Sequence, residues 1–255
     1  MFVEEFTAAG NAAKAKCGLL SRNPAGYFFA AMLAGIYVGL GILLIFSLGG
    51  QLAGAPYTKL IMGVSFSIAL SLVVIAGAEL FTGNNLVGFA GIVQKTINTG
   101  QLVKLWIVCF LGNWVGSIIV AALFYAGGLS TGAVGEFIAA TAAAKMNAAP
   151  LALFFRAVLC NTLVCLAVWS GFRCKSDSGK LIMIFWCLFA FITSGYEHSI
   201  ANMTLLTAAL FAPFKAAVTL SGYFYNLGIV TLGNMAGGVF CVTLPYALIS
   251  RQKES

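Results

Sequence analysis

The pattern Gly-x-Glu-x-x-x-x-Asn occurs twice, and each time it sets a carboxylate inside an otherwise apolar stretch. The first copy is Gly77, Glu79 and Asn84; the second is Gly195, Glu197 and Asn202, 118 residues later at all three positions. Two more patterns are doubled. Leu-Gly-Asn-x-x-Gly stands at Leu111, Gly112, Asn113, Gly116 and again at Leu232, Gly233, Asn234, Gly237. Phe-Phe-x-Ala-x-Leu stands at Phe28, Phe29, Ala31, Leu33 and again at Phe154, Phe155, Ala157, Leu159. The order is the same in both halves, so the chain reads as one unit used twice.

The solvent of that unit follows from composition. Hydrophobic residues make up 61% of the chain, charged residues 8%, and the mean hydropathy is +0.99. A soluble domain carries roughly a quarter charged residues. This chain cannot cover a globule with polar surface, so the bilayer is its solvent. The first 24 residues have no uninterrupted apolar core followed by a cleavage site, and read as an amphipathic cytoplasmic helix at the membrane surface. The net charge of +7 reads as basic residues at membrane edges, not as a nucleic-acid surface. Seven Cys occur without a Cys-x-x-Cys pair. They read as small hydrophobes, with no disulfide framework and no metal site expected.

Six apolar stretches can each cross about 30 Å of hydrocarbon: 27–48, 60–97, 101–126, 149–172, 180–211 and 219–249. The second and fifth are too long for one simple helix and contain the Glu/Asn pattern, so each is expected as two half-helices with an unwound link. Ten Lys and Arg, among them Lys14, Lys16, Arg22, Lys95 and Lys253, fall on the side of the termini. Lys59, Lys145 and Lys215 fall on the other, with Arg156 near or inside the fourth span. This bias places both termini in the cytoplasm. Three spans per unit make the second copy insert upside down, with repeats at about 25–126 and 149–250. The expected fold is therefore an all-α membrane protein of six transmembrane helices in a 3+3 inverted repeat, with broken second and fifth helices, forming one channel domain over 1–255.

Irregular backbone is tolerated at membrane depth only when buried in protein or lining a wet cavity. Half-helix N-termini meeting near the midplane suit an anion. Glu79 and Glu197 have two readings, since ionisable groups in spans are usually functional. They are a cation site or proton relay, or they accept hydrogen bonds from N–H groups freed by the break. The second is favoured, because two anionic side chains lining an anion pore would repel the cargo. Asn84 and Asn202 read as tethers of the unwound turns, and Asn113 and Asn234 as ties from the third and sixth spans to those links. His198 is the single histidine. It follows a midplane carboxylate in a helix break, and its ordinary pKa near 6.5 allows proton exchange, so it is read as pore-lining. Thr82 offers a hydroxyl to the same space. Lys145 is either an electrostatic attractor in an external vestibule or an ordinary interface lysine. Phe66, Phe81 and Phe191 sit near the breaks and could make apolar constrictions.

These residues carry a resemblance. AELFTGN, KMN before the fourth span, LCNTLVCLAVW and GYEHSIANM resemble the formate/nitrite transporter family over nearly the whole length. The resemblance implies an aquaporin-like fold and a homopentamer with a separate pore in each protomer. It implies that Phe66 and Phe191 form the external constriction, and that Leu70, Leu80 and Phe81 form the cytoplasmic one. Thr82 and His198 would face the chamber between them, with Asn161 and Asn234 nearby and Lys145 in the vestibule. The implied cargo is a small monovalent weak-acid anion such as formate, nitrite or hydrosulfide, with hydrosulfide slightly ahead. No cofactor is implied, and the place is the inner membrane. The competing reading is a water or glycerol pore, although neither half contains the Asn-Pro-Ala motif of aquaporins. One His and unpaired Cys give a membrane redox enzyme no ligand set, and an ATP-driven pump would need a phosphate loop that the sequence lacks.

Overall fold

The computed structural model describes residues 1–251, which contain helices and no strand. Lys253, counted above with the terminal side, lies outside the described residues. Chain order gives α1 (Val3–Arg22), α2 (Pro24–Gln51), α3 (Thr58–Gly77), α4 (Phe81–Val93) and α5 (Thr99–Ala126). It continues with α6 (Gly132–Met146), α7 (Pro150–Arg173), α8 (Asp177–Thr193), α9 (Ser199–Phe211) and α10 (Leu220–Ser250). Five helices, α2, α3, α5, α7 and α10, are long and apolar enough to cross a membrane, and α8 with α9 completes a sixth crossing. α3 with α4 and α8 with α9 are the two broken crossings, interrupted at 78–80 and 194–198. The Ser250 hydroxyl donates to the Phe2 carbonyl at 3.2 Å, so the two ends of the chain meet on one face. That face is called the N-terminal face below.

Helix limits follow local chemistry. Asn23 accepts the Gly26 N–H at 2.9 Å, and Pro24 occupies the first turn of α2, where no N–H is needed. Asn98 and Gln101 form a reciprocal capping box at the start of α5. α10 widens into a π-helical stretch at Gly237–Thr243 just before Pro245. That widening absorbs the backbone bond that Pro245 cannot make. The segment 127–148, between the third and fourth apolar stretches, contains helix α6. Its run of Ala is the best helix-forming composition. Gly135, Ile138, Ala139, Ala142 and Met146 are its buried stripe.

The doubled motifs now have physical reasons. Gly77 and Gly195 have φ of 85° and 73° with open space around a would-be Cβ, so backbone conformation alone requires glycine there. A Cβ on Gly112 or Gly116 would strike the backbone of Phe28 or Met32 in α2. One on Gly233 or Gly237 would strike Phe154 or Val158 in α7. These glycines bring α5 onto α2 and α10 onto α7 at backbone contact.

Between them stand the asparagines. Asn113 Oδ1 accepts the Phe81 N–H at 2.9 Å, while its Nδ2 donates to the Glu79 carbonyl at 2.8 Å and the Ala31 carbonyl at 2.7 Å. Asn234 Oδ1 accepts the Ser199 N–H at 2.8 Å, and its Nδ2 donates to the Glu197 and Ala157 carbonyls, both at 2.9 Å. Each extended link also bonds the first helix of its own half, Glu79 N–H to the Ala30 carbonyl at 3.1 Å and Glu197 N–H to the Arg156 carbonyl at 3.3 Å. One side chain per half thus supplies two partners that the broken helix has lost and ties them to a carbonyl of the first helix of that half. The equivalence also reaches beyond 25–126 and 149–250. Each unit opens on a short helix that packs over its break, α1 before α2 and α6 before α7.

Replacing either asparagine by alanine leaves one buried N–H and one buried carbonyl of the link short of a partner and cuts the tie to the first helix. Asn113→Ala and Asn234→Ala should each destabilise the protomer by roughly 2–5 kcal/mol. Thermal unfolding in detergent, followed by size-exclusion fluorescence, should show large and similar downward shifts of the midpoint for both.

Candidate functional site

Two cavities enter the protein from opposite faces and stop short of each other. The cavity on the N-terminal face, about 370 Å³, is lined by Lys16, Glu79, Asn84, Leu70 and Leu80 among others. The cavity on the opposite face, about 480 Å³, is lined among others by Lys59, Lys145, Phe191, Tyr196, His198 and Asn202. Between them lies a void of about 10 Å³, walled by Phe66, Leu70, Leu80, Val164, Phe191 and His198. That is room for one water-sized particle. Phe191 and His198 belong both to the void and to the opposite-face cavity; Leu70 and Leu80 belong both to the void and to the N-terminal-face cavity. The void is therefore a neck with an aromatic end and an aliphatic end. At the aromatic end, Phe66 and Phe191 meet edge-on with centroids 5.5 Å apart, and Phe191 stacks on His198 at 5.9 Å.

His198 is the N-cap of α9. Its Nδ1 accepts the Ala201 N–H at 3.1 Å, so Nδ1 carries no proton and the neutral ring holds its proton on Nε2. That N–H points at the Thr82 hydroxyl oxygen, 3.0 Å away, across the two halves. Thr82 is thereby free to donate its own proton. A second proton on Nδ1 would face the Ala201 N–H directly and undo the cap. The arrangement places one imidazole N–H at the neck, backed by the buried Thr82 hydroxyl, and is poorly suited to releasing a proton. In the 118-residue register, His198 is the counterpart of Leu80, so the same backbone position supplies the polar group on one side and an apolar wall residue on the other.

The two carboxylates differ from the expectation that they accept freed backbone N–H groups. Asn113 and Asn234 accept those N–H groups, and each carboxylate is bound by side chains. Glu79 takes Lys16 Nζ at 2.6 Å, the Tyr27 hydroxyl at 3.1 Å and Asn84 Nδ2 at 3.0 Å. Glu197 takes Lys145 Nζ at 2.8 Å and Asn202 Nδ2 at 2.7 Å. Asn202 also donates to Asn226 Oδ1 at 2.8 Å, and Asn226 donates to the Lys145 carbonyl at 3.0 Å, which closes a ring. The lysines come from α1 and α6, the short helices that open the two units. Lys145 is thus not a free vestibule charge, because the adjacent Glu197 neutralises it.

Other positions also differ from the sequence reading. Phe81 packs edge-on against Trp106 and Phe110 and lines none of the three spaces, unlike its neighbour Leu80. Asn161 and Asn234 are fully buried and stand in the wall. Asn161 Nδ2 lies 3.3 Å from the Thr82 carbonyl and 2.7 Å from the Asn234 carbonyl, joining the break of one half to the brace of the other. Cys109 and Cys165 donate weakly to the Glu79 and Thr82 carbonyls. Sequence reasoning missed Lys16, Tyr27 and Asn226. Lys16 lies 12 residues before Phe28 and Lys145 lies 9 before Phe154, so the repeat register does not align them.

Glu197 is 4% exposed while Lys145 keeps 20% of its side chain accessible. Lys145→Met strands a buried charge and should cost about 3–5 kcal/mol, whereas Lys145→Met with Glu197→Gln should recover most of that loss. Thermal unfolding of the two variants in detergent measures the difference.

The comparisons with known proteins agree with this geometry. A family profile described as formate/nitrite transporter matches residues 3–248. A nitrite transporter NirC of Salmonella typhimurium is 46% identical over 247 residues, 96% of this chain and 91% of that protein. A solved structure described as an FNT family ion channel superposes with a TM-score of 0.93 at 42% identity, covering 98% of this chain and all of that one. A pentameric formate channel with formate bound superposes with a TM-score of 0.77 at 30% identity, covering 88% and 96%. The chain belongs to the formate/nitrite transporter family.

Proposed function

We propose that each protomer is a separate, passive pore for a small weak-acid anion, nitrite first and formate second, which crosses the neck together with a proton. The observation that carries this reading is the neck itself, a space for one small particle with apolar walls and one polar lining group, the His198 ring, whose Nε2 meets the buried Thr82 hydroxyl. An unpaired charge in such a space loses its hydration, which costs many kcal/mol. The same molecule carrying a proton is neutral and keeps a group that can accept from Nε2–H in place of the Thr82 oxygen. Water in the two cavities supplies that proton and takes it back. His198 orients and polarises, and its cap bond keeps it out of the proton exchange.

The nitrite assignment is supported by a relative named as a nitrite transporter at 46% identity. It takes the first place that the sequence reading gave to hydrosulfide. The formate channel that superposes on this chain is described as pentameric, which supports a homopentamer here. The basic residues gathered on the N-terminal face support a multi-pass inner-membrane protein with both termini in the cytoplasm.

His198→Asn tests the site without losing the fold, because asparagine is itself a good N-cap but too short to reach Thr82. In proteoliposomes, native protein should carry nitrite and formate faster than hydrosulfide, with rates rising as pH falls. His198→Asn should unfold within a few degrees of native and lose about tenfold or more of nitrite flux. Unchanged flux in the variant, or water permeation without nitrite flux in the native protein, contradicts the proposal.

A further inference from the structure

The two cavities hold two lysines that are already neutralised, Lys16 by Glu79 and Lys145 by Glu197. A third lysine lines the opposite-face cavity. Lys59 is exposed, shares the wall with Lys145 and His198, and takes part in none of the four ion pairs among the described residues. Its backbone is held in place. Thr58, next to it, is buried, and its hydroxyl sits 2.5 Å from the Leu52 carbonyl and 2.8 Å from the Ala55 carbonyl. This closes the loop before α3 and sets Lys59 in the first turn at the mouth.

We propose that Lys59 is an anion-capture site at this mouth, an unpaired ammonium that concentrates small monovalent anions in the cavity leading to His198. The charges on the walls make the effect one-sided. Glu79 and Lys16 cancel in the N-terminal-face cavity, while Lys59 leaves one uncancelled positive charge in the other. A charge at a wet mouth is worth about 1 kcal/mol at close range, a few-fold in local anion concentration. Lys59 therefore raises the rate of anion arrival from its own side and leaves passage through the neck unchanged. This inference rests on the anion-pore reading.

The test is nitrite influx into phosphatidylcholine liposomes holding oriented protein, with nitrite presented to one face at a time. At low ionic strength and sub-saturating nitrite, Lys59→Gln should lower the initial rate from the Lys59 side by about two- to fivefold. The maximal rate and the rate from the N-terminal face should stay native, and the effect should fade in about 0.5 M salt. Lys59→Cys should be restored by a cationic methanethiosulfonate and slowed further by an anionic one, with reagent-treated native protein as the reference. A Lys59→Gln rate equal to native at low salt overturns the proposal. So does an equal loss from both faces, or a Lys59→Cys loss that the cationic reagent does not restore. Absence of nitrite flux in native protein would instead overturn the pore reading.

Discussion

A backbone that leaves the helix in the middle of a membrane must find partners for the N–H and carbonyl groups it frees. This requirement organises the protein. Asn113 and Asn234 meet it, each satisfying one N–H and one carbonyl of the link and holding a carbonyl of the neighbouring helix with the same side chain. Their reach is short, so the helices that carry them must lie against the first helix of the same half at backbone distance. The glycines on both sides of each asparagine allow that approach. The breaks, the close crossings and the duplicated motifs are thus one device, built twice in opposite senses. The neck between the breaks is its product.

The charges are organised by the same economy. A carboxylate in each link would repel an anion and a lysine beside the path would trap one. Pairing them leaves polar walls with little net field, so an anion is neither expelled nor held. The cost of burying the charges is met by Tyr27 and Asn84 on one side and by Asn202 and Asn226 on the other. The two solutions use different residues because α1 and α6 approach their breaks differently. What the halves share is the brace. What they do not share, Leu80 against His198, separates the aliphatic end of the neck from its polar group.

Much of this was legible in the sequence, because the brace depends on short-range spacing. Gly77, Glu79 and Asn84, together with the glycines around Asn113, have fixed offsets that a repeat preserves. The two breaks follow from them, the six crossings follow from the lengths of the apolar stretches, and Thr82 and His198 stand in matching breaks of the two halves. Phe81 was misplaced because Leu80 lies in the extended link and Phe81 opens the helix, so the two side chains point apart and only Leu80 faces the neck. The ion pairs were not legible, since Lys16 reaches Glu79 across 63 positions and no local pattern records it. Helix α6 falls outside the six apolar stretches, and its place over the second break shows only in its buried stripe and in the reach of Lys145 to Glu197.

The central claim is that the anion crosses the dry neck only as a neutral unit with a proton. Nitrite influx into liposomes whose potential is clamped with potassium and valinomycin, recorded together with internal pH, tests it directly. The account predicts one proton entering with each nitrite and a rate that does not change when the potential is stepped or reversed. A nitrite current that follows the potential, with no matching acidification, would contradict it.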